Sequence, residues 1–262
     1  MIRALNTAAT GMVAQQRNLD TIANNLANVN TTAFKQQRAE FQDLVYQTYR
    51  ASGASTSGST SVPQAAQIGL GSRFSASATS FAIGSIESSA NPLHFAITGV
   101  GFFQITLPDG TTAYTRDGSF NMDATGQVVT SDGYFVEPNI VIPAGAQSLT
   151  VSSSGIFTAV LADQNDPTEL GALQIAIFPN PGGLTRLGQN LYRSGGASGD
   201  PTLVTPGEQG SGALGQYLLE GSNVQVVEEM VRMIIAQRAY EINSKAIQTA
   251  DDMLSTLNNL KR

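Results

Sequence analysis

Few residues in this chain have the types and spacing needed for metal or acid–base chemistry. His94 is the only histidine and there is no cysteine, so disulfides and thiolate metal sites are excluded. His94 heads an apolar segment, and we interpret it as structural. The NMDATG loop at 121–126, followed by Asp132, resembles part of a calcium loop but lacks its first Asp and its bidentate Glu. We therefore interpret it as a hairpin turn and predict no catalytic site, no metal, no cofactor and no enzyme.

A concentration of amide side chains lies in the segment TIANNLANVNTTAFK, residues 21–35, which is otherwise typical of a helix. Asn is a poor helix former because its amide competes for backbone hydrogen bonds. An amide both donates and accepts, so it can bond to a copy of itself, whereas an unpaired buried charge is costly. Amides such as Asn24, Asn25 and Asn28 would therefore suit a contact between identical surfaces. The alternative is a solvated helix near its C-terminus.

Composition limits the classes of partner. The 262 residues carry 13% charged side chains, about half the usual share, and a net charge of −6. An acidic, charge-poor chain argues against binding to nucleic acid or to anionic membranes. No apolar run approaches the roughly 18 residues of a membrane span, and residues 1–10 do not form a cleavable secretory signal. We predict neither a nucleic-acid partner nor membrane insertion.

Residues 5–29 repeat apolar positions every seven residues, as helices that pack against other helices do. One set of positions is Leu5, Met12, Leu19 and Leu26, and the set three residues further on is Ala8, Gln15, Ile22 and Val29. Residues 1–34 hold only three charged side chains. A helix packed on a domain core is the alternative, and the missing charges favour helix assembly.

The C-terminal segment, residues 222–262, contains no Pro or Gly and begins with a capping box, Ser222 to Gln225. As one helix it would extend about 60 Å, which is too long for one small core. Its apolar stripe consists of Val224, Val227, Val231, Ile235, Ala239, Ile242, Ala246, Ala250, Met253, Leu257 and Leu260. We predict that the two terminal helices pack on each other, with Leu19 and Leu26 near residues 242–257 if they are antiparallel.

The middle of the chain has a different character. Residues 51–61, ASGASTSGSTS, contain only Ala, Ser, Gly and Thr, a composition typical of a flexible linker. Short strand-like runs follow, separated by Gly-containing turns that recur every seven or eight residues from Asp109 to Gly133. This spacing indicates a β-meander in which glycine supplies positive φ angles.

These patterns predict an α+β fold. Residues 1–35 and 220–262 form N- and C-terminal helices paired as a coiled-coil-like stalk. Residues 36–90 form an extended or β connector that contains the low-complexity stretch 51–61. Residues 91–200 form an inserted all-β domain, and residues 201–219 form a return segment.

Four segments resemble the flagellar rod and hook protein family of bacteria. They are ANNLANVNTTAFK (23–35), FAITGVGFFQI (95–105), YTRDGSFNMDATGQVVTSDGYFV (114–136) and EGSNVQVVEEMVRMIIAQRAYEINSKAIQTADDML (220–254). Within the family, the chain length, QTYR at 47–50 and QIGLGSR at 67–73 point to the distal rod rather than to the longer hook protein. Ala33 stands where family members often have Gly, so the turn there cannot rely on glycine for a positive φ.

The resemblance implies a structural subunit of the distal rod that self-assembles through its terminal helices into a rigid helical tube and transmits motor torque to the hook. The predicted polymer interface consists of Leu5, Met12, Leu19, Ile22, Asn24, Asn25, Leu26, Asn28, Val29, Val231, Ile235, Ile242, Met253 and Leu257. A second predicted contact between subunits is a bridging stretch with Ser52, Ser55, Ser57, Ser59 and Ser61.

The resemblance also implies partners and a location. The partners are further copies of the chain, the hook protein, the proximal rod proteins, the P-ring and L-ring proteins, the flagellar export apparatus and the rod cap. The location is the flagellar basal body, from the periplasm to the outer membrane, reached by export without a cleaved signal peptide. The alternatives are another member of the same axial family, either a proximal rod or a short hook-type protein, or a soluble coiled-coil dimeric enzyme or binding module.

Overall fold

The computed structural model describes residues 2–53, 55–57, 60–61, 63–161 and 166–260, and the chain separates into two units. The helical unit comprises Met1–Ala27, Gln37–Ala78 and Gln225–Arg262. The β unit comprises Asn28–Gln36 and Thr79–Val224. The chain is therefore α+β, with a helix towards each end and a large β-rich part between them, as the sequence predicted.

The helical unit contains two long helices, α1 (Ile2–Ala27) and α2 (Val226–Leu260). Its strands are β1 (Gln37–Asp43), β2 (Tyr46–Arg50), β3 (Ser55–Ser57), β4 (Thr60–Ser61), β5 (Ala66–Gly69) and β6 (Ser72–Thr79). They pair as three two-stranded ribbons: β1 with β6, β2 with β5, and β3 with β4. The segment from 37 to 78, which is part of the predicted 36–90 connector, is grouped with the helices.

Helices α1 and α2 lie antiparallel, as two contacts between them demonstrate. A Cβ atom at Gly11 would come within 3.0 Å of Asn243 Nδ2, and Asn25 Nδ2 lies 3.2 Å from Glu229 Oε2. Fourteen residues separate the two contacts on each helix, so one register serves both. This register places Leu19 and Leu26 beside the first turns of α2 and not beside residues 242–257, where we expected them.

The β unit begins with β7 (Ile86–Ser88), β8 (Phe95–Thr98), β9 (Phe102–Thr106), β10 (Thr112–Thr115), β11 (Asn121–Met122), β12 (Val128–Val129), β13 (Phe135–Glu137) and β14 (Ala146–Val151). It continues with β15 (Ile156–Leu161), β16 (Thr168–Ala172), β17 (Ile175–Ile177), a 3-10 helix (Pro181–Gly183), β18 (Thr185–Gly188), β19 (Leu191–Arg193), β20 (Thr202–Val204), β21 (Ala213–Gln216) and β22 (Leu218–Glu220). The main sheet has nine strands, with β11-β12-β13-β9-β10-β19-β18 in order and β17 joining β9 to β20. The strands β14-β15-β16 form a second sheet, and β21 pairs with β8 and β22 with β7.

Strand β9 explains why the main sheet buries both faces. Side chains alternate along a strand, so neighbouring residues point to opposite faces. Phe103 and Ile105 belong to the larger core, with Phe95, whereas Phe102 belongs to a smaller aromatic cluster with Phe178. Phe102 meets Phe178 edge-to-face at a centroid distance of 5.7 Å, and Phe103 meets Phe120 in the same way at 5.1 Å. The FF pair therefore supplies one large aromatic ring to each face.

The turn glycines serve two different purposes. Gly110, Gly126 and Gly133 have φ angles of 77°, 82° and 84°, as the β-meander pattern predicted. Gly118 has no left-handed φ angle, and here the prediction was wrong. A Cβ atom at Gly118 would lie 1.8 Å from the carbonyl oxygen of Phe95, whose N–H donates to Gly118 at 3.0 Å. Close backbone approach, not conformational freedom, is what requires glycine there.

The bend at Ala33 is made without glycine. Ala33 has a φ angle of 55° and is 1% exposed, and its N–H donates to the carbonyl oxygen of Glu220 at 2.7 Å. A left-handed conformation costs a non-glycine residue roughly 1–2 kcal/mol. The buried hydrogen bond holds Ala33 in this conformation and attaches the residues after α1 to the end of β22.

Candidate functional site

Three of the four buried charged residues of the described chain form a triad within the β unit. Lys35 Nζ lies 2.5 Å from Glu220 Oε1, and the Arg116 guanidinium lies 2.9 Å from Glu220 Oε2. All three side chains are at most 4% exposed. One carboxylate is thus shared between two cations, away from water.

Hydrogen bonds to the backbone complete this triad. Lys35 donates to the carbonyl oxygen of Ala82 at 2.8 Å, and Arg116 donates to the carbonyl oxygens of Gly99 and Gly101 at 2.8 and 2.7 Å. Burial lowers the pKa of Lys35, and the Glu220 carboxylate opposes that shift. Breaking such a pair by removing one partner leaves an uncompensated buried charge. The triad therefore holds together strand ends and the segment after α1.

Sequence reasoning missed all three members of the triad. Lys35 ends TTAFK, Arg116 lies within YTRDG, and Glu220 opens EGSN. In a chain with only 13% charged residues, each charge within a mostly uncharged segment is a candidate for a structural ion pair. That signal cannot specify which charges pair, because 185 residues separate Lys35 from Glu220.

Asn25 makes its hydrogen bonds within its own chain. It is 1% exposed, and its amide forms two bonds with the backbone of Gln37, donating to the carbonyl oxygen at 2.7 Å and accepting from the N–H at 2.9 Å. Its Nδ2 also donates to Glu229, whose other oxygen is paired with Arg232 at 3.0 Å. The structure thus places Asn25 between α1, β1 and α2 of one subunit. Asn24 is exposed and Asn28, in the β unit, is half-buried.

The predicted stripe of α1 faces inward only in part. Ile22 is 4% exposed, and Leu5, Met12, Leu19 and Leu26 are half-buried. Val29 lies just beyond α1, in the β unit, and is also half-buried. The half-buried leucines retain apolar surface that a further partner could cover.

The predicted stripe of α2 is largely exposed. Val231, Ile235, Ile242 and Met253 are 51%, 63%, 67% and 56% exposed. The face of α2 that is turned to α1 has Glu229, Ala236 and Ala250 buried and Asn243 at the Gly11 contact, so Ala250 of the predicted stripe faces inward. Leu257 lies within α2, and its side chain is outside the described part. A row of large exposed apolar side chains along one helix marks an interaction surface.

The predicted bridging stretch lies partly in β structure. Ser52 is in a turn, Ser55 and Ser57 belong to β3, and Ser61 belongs to β4. Ser59 is outside the described residues. In the β3–β4 ribbon, Ser55 is paired with Ser61 and Ser57 with Thr60.

The residues that resembled catalytic or calcium chemistry make local hydrogen bonds. Ser89 Oγ lies 2.7 Å from His94 Nδ1, and Asp123 accepts from the Thr125 hydroxyl at 2.6 Å within the β11–β12 hairpin. Within the described part of the chain, no three histidine or acidic side chains lie close enough together to hold a metal ion. Neither α1 nor α2, over their described residues, has the length of apolar sequence that crosses a membrane.

Three segments match known protein families. Residues 5–35 match the family described as flagella basal body rod protein, residues 96–159 the flagellar hook protein FlgE/F/G D1 domain, and residues 216–260 the flagellar basal body rod FlgEFG protein C-terminal. The chain is also 52% identical to the flagellar basal-body rod protein FlgG of Borreliella burgdorferi, over the full length of both. The chain belongs to the flagellar rod and hook protein family.

Other members of this family are similar to the chain over its whole length. FlgG of Caulobacter vibrioides is 48% identical over 99% of this chain and all of its own, and FlgG of Bacillus subtilis is 42% identical over the full length of both. Each of the three family segments contributes one member of the buried triad: Lys35 from the first, Arg116 from the second and Glu220 from the third. The triad therefore joins one residue from each of the three matched segments.

Proposed function

We propose that this protein is a structural subunit of the flagellar distal rod. Copies of the chain assemble through their terminal helices, paired as a coiled-coil-like stalk, into a rigid helical tube that transmits motor torque to the hook. The names of the full-length relatives support the rod assignment. The observation that carries the assembly proposal is the exposed apolar stripe of α2 from Val231 to Met253, which one subunit leaves uncovered.

The proposed polymer interface keeps the predicted residues with one change of role. Val231, Ile235, Ile242 and Met253, with Leu257, provide apolar contacts from α2, and Leu5, Met12, Leu19, Ile22, Leu26 and Val29 support them from the N-terminal segment. Asn24 and Asn28 provide neutral hydrogen bonds to neighbouring copies. Asn25 instead fixes the end of α1 inside each subunit, because it is buried there and bonded to Gln37 and Glu229.

Further partners are proposed on the basis of the rod assignment. We propose contacts with the hook protein, the proximal rod proteins, the P-ring and L-ring proteins and the rod cap, after delivery by the flagellar export apparatus without a cleaved signal peptide. The assembled rod extends from the periplasm to the outer membrane.

Electron microscopy of the purified, concentrated full-length chain tests self-assembly. We expect straight tubular filaments, because each subunit presents an apolar stripe that only other copies cover. A compact dimer that stays dimeric at every concentration would contradict the proposal and favour a soluble binding module.

We also propose that residues 51–61 bridge neighbouring subunits and stiffen the rod. Small uncharged side chains permit close backbone approach, and Ser and Thr hydroxyls can satisfy backbone groups of a neighbour. Deleting residues 52–61 should leave a soluble subunit that still polymerises into filaments that bend more readily. The persistence length measured from electron micrographs checks this. A control that replaces residues 52–61 with ten Gly and Ser residues in scrambled order distinguishes an effect of sequence from an effect of length. Unchanged stiffness after the deletion would identify residues 52–61 as a passive linker.

A further inference from the structure

The two helices of the helical unit present outer faces of opposite character. The outer α2 stripe, which we define as Val227, Val231, Ile235, Ile242 and Met253, consists of large apolar side chains that are all more than half exposed. The outer α1 face, which we define as Ala9, Val13, Gln16, Asp20, Ala23, Asn24 and Ala27, consists of exposed, mostly small residues with a single charge, that of Asp20. Large side chains on one helix pack well where small residues on the other permit close approach.

The lengths of the two surfaces are compatible. The outer α1 face from Ala9 to Ala27 covers 18 residue steps, about 27 Å, and the outer α2 stripe from Val227 to Met253 covers 26 steps, about 39 Å. The stripe is therefore long enough to cover the whole outer α1 face.

Charged residues near the middle of both surfaces select one direction of packing. On α1, Asp20 lies within the outer face and Arg17 lies beside it, three residues away. On α2, Arg238 lies among the side chains of the outer stripe and Glu241 lies beside it, with the same spacing and order of charge. An antiparallel arrangement places Arg17 opposite Glu241 and Asp20 opposite Arg238, whereas a parallel arrangement opposes like charges. Arg238 and Glu241 are 75% and 54% exposed and pair with each other at 3.2 Å, so both are accessible to a four-charge cluster.

The same register brings large residues against small ones. With Asp20 opposite Arg238, Ile235 lies opposite Ala23 and Val231 lies opposite Ala27. Because α1 and α2 are antiparallel within one subunit, copies that point the same way along a polymer present α2 antiparallel to the next α1. Contact between two different faces is heterologous, so it repeats from copy to copy.

We propose that the outer α2 stripe of one subunit packs antiparallel on the outer α1 face of a second copy, in the register that pairs Asp20 with Arg238 and Ala23 with Ile235. This inference rests on the proposed self-assembly and specifies its contact surfaces. It excludes a closed two-fold pairing of α2 with α2.

Cysteine cross-linking between two full-length variants tests the register, since the natural chain has no cysteine. Ala23→Cys chains are mixed with Ile235→Cys chains under assembly conditions and oxidised, so that only a bond between two molecules can join the two variants. We expect a disulfide heterodimer, because the proposed contact brings the two Cα atoms within the roughly 7 Å that a disulfide requires. The matched control mixes Ala23→Cys with Thr249→Cys, an exposed position about 21 Å further along α2, and should give at least tenfold less product.

Charge reversal gives an independent measurement. Asp20→Arg and Arg238→Asp should each reduce the fraction of protein that pellets as filaments by several-fold, and the double variant should restore it. Circular dichroism and thermal unfolding of the soluble variants establish that the subunit is still folded. If the wild-type chain forms filaments but the Ala23→Cys and Ile235→Cys variants give no heterodimer, or the double charge reversal gives no rescue, the register is overturned and self-assembly is left intact. Efficient Ile235→Cys homodimers would overturn it in favour of two-fold pairing, and a wild-type chain that never assembles would overturn the proposed function itself.

Discussion

The β unit and the helical unit differ in how completely they bury their large apolar side chains. In the β unit, aromatic rings such as Phe103 are fully buried, and the charges of Lys35, Arg116 and Glu220 find their partners inside the same unit. In the helical unit, Ile235 and Ile242 are more than 60% exposed. The β unit is complete within one chain, whereas the helical unit retains an apolar surface that water stabilises poorly. The exposed apolar surface of α2 is therefore the observation that supports the proposed assembly role.

The placement of charge follows the same contrast. A buried charge is tolerated where its partner is fixed by the fold, as Glu220 is by Lys35 and Arg116. At a contact between identical copies the partner must come from another part of the same sequence. Neutral residues on α1, such as Gln16 and Asn24, avoid that requirement.

The largest expected effect tests whether the β unit depends on its internal charge pairing. Glu220→Ala leaves Lys35 and Arg116 buried without an anion, and should lower the free energy of unfolding by about 3–5 kcal/mol. Urea denaturation followed by tyrosine near-ultraviolet circular dichroism measures it. The control is Glu208→Ala, because Glu208 is exposed and its removal should change stability by less than about 0.5 kcal/mol. Equal, small changes in the free energy of unfolding for both variants would show that the triad does not stabilise the β unit.

An identical truncation in each unit sharpens the comparison. Ile105 is 0% exposed, and Ile105→Ala should destabilise the isolated subunit by about 2–5 kcal/mol. Ile242 is 67% exposed, and Ile242→Ala should change subunit stability by less than about 0.5 kcal/mol. It should instead weaken assembly by about 1–3 kcal/mol per contact, since that side chain is buried only in the polymer.

Denaturation of both soluble variants and the critical concentration for pelleting check this prediction. Loss of subunit stability in Ile242→Ala, with an unchanged critical concentration, would mean that α2 is completed within its own chain.

The smallest expected effect concerns the bend at Ala33. Ala33→Gly removes the strain of a left-handed conformation, which costs the folded protein roughly 1–2 kcal/mol. It also loses a buried methyl group that stabilises the fold by about 0.8 kcal/mol, and the greater freedom of the unfolded chain destabilises the fold by about 0.5–1 kcal/mol. Thermal unfolding should therefore change little, whereas Ala33→Val should destabilise the protein by about 1–3 kcal/mol because a β-branched residue is strained at this φ angle. Equal tolerance of Gly and Val would show that the bend is adjustable.

The sequence predicts local features well where one pattern has one structural meaning. The seven-residue repeat from Leu5 predicts α1, the uninterrupted segment after Ser222 predicts α2, and glycines such as Gly126 and Gly133 predict turns with positive φ. Each of these depends on residues close together in the chain, so propensity and spacing are sufficient.

The sequence could not predict which surfaces meet. Periodicity identifies an apolar face on α2 but not its partner, and the face turned to α1 carries Ala236 and Ala250 while Ile242 points elsewhere. The choice of Lys35 and Arg116 as partners of Glu220 depends on strand pairing over long separations. Asn25 could not be distinguished from Asn24 by composition, although one is buried and the other is exposed.

The long separation between Lys35 and Glu220 has a consequence for synthesis. The β unit needs residues 28–36 from the start of the chain and Glu220 from its last sixth, so its contact order is high. A nascent chain cannot close this unit while Glu220 is still in the ribosome, because Lys35 and Arg116 then have no counter-ion and β22 cannot pair with β7. The β unit therefore closes late in synthesis, after most of the chain has been made.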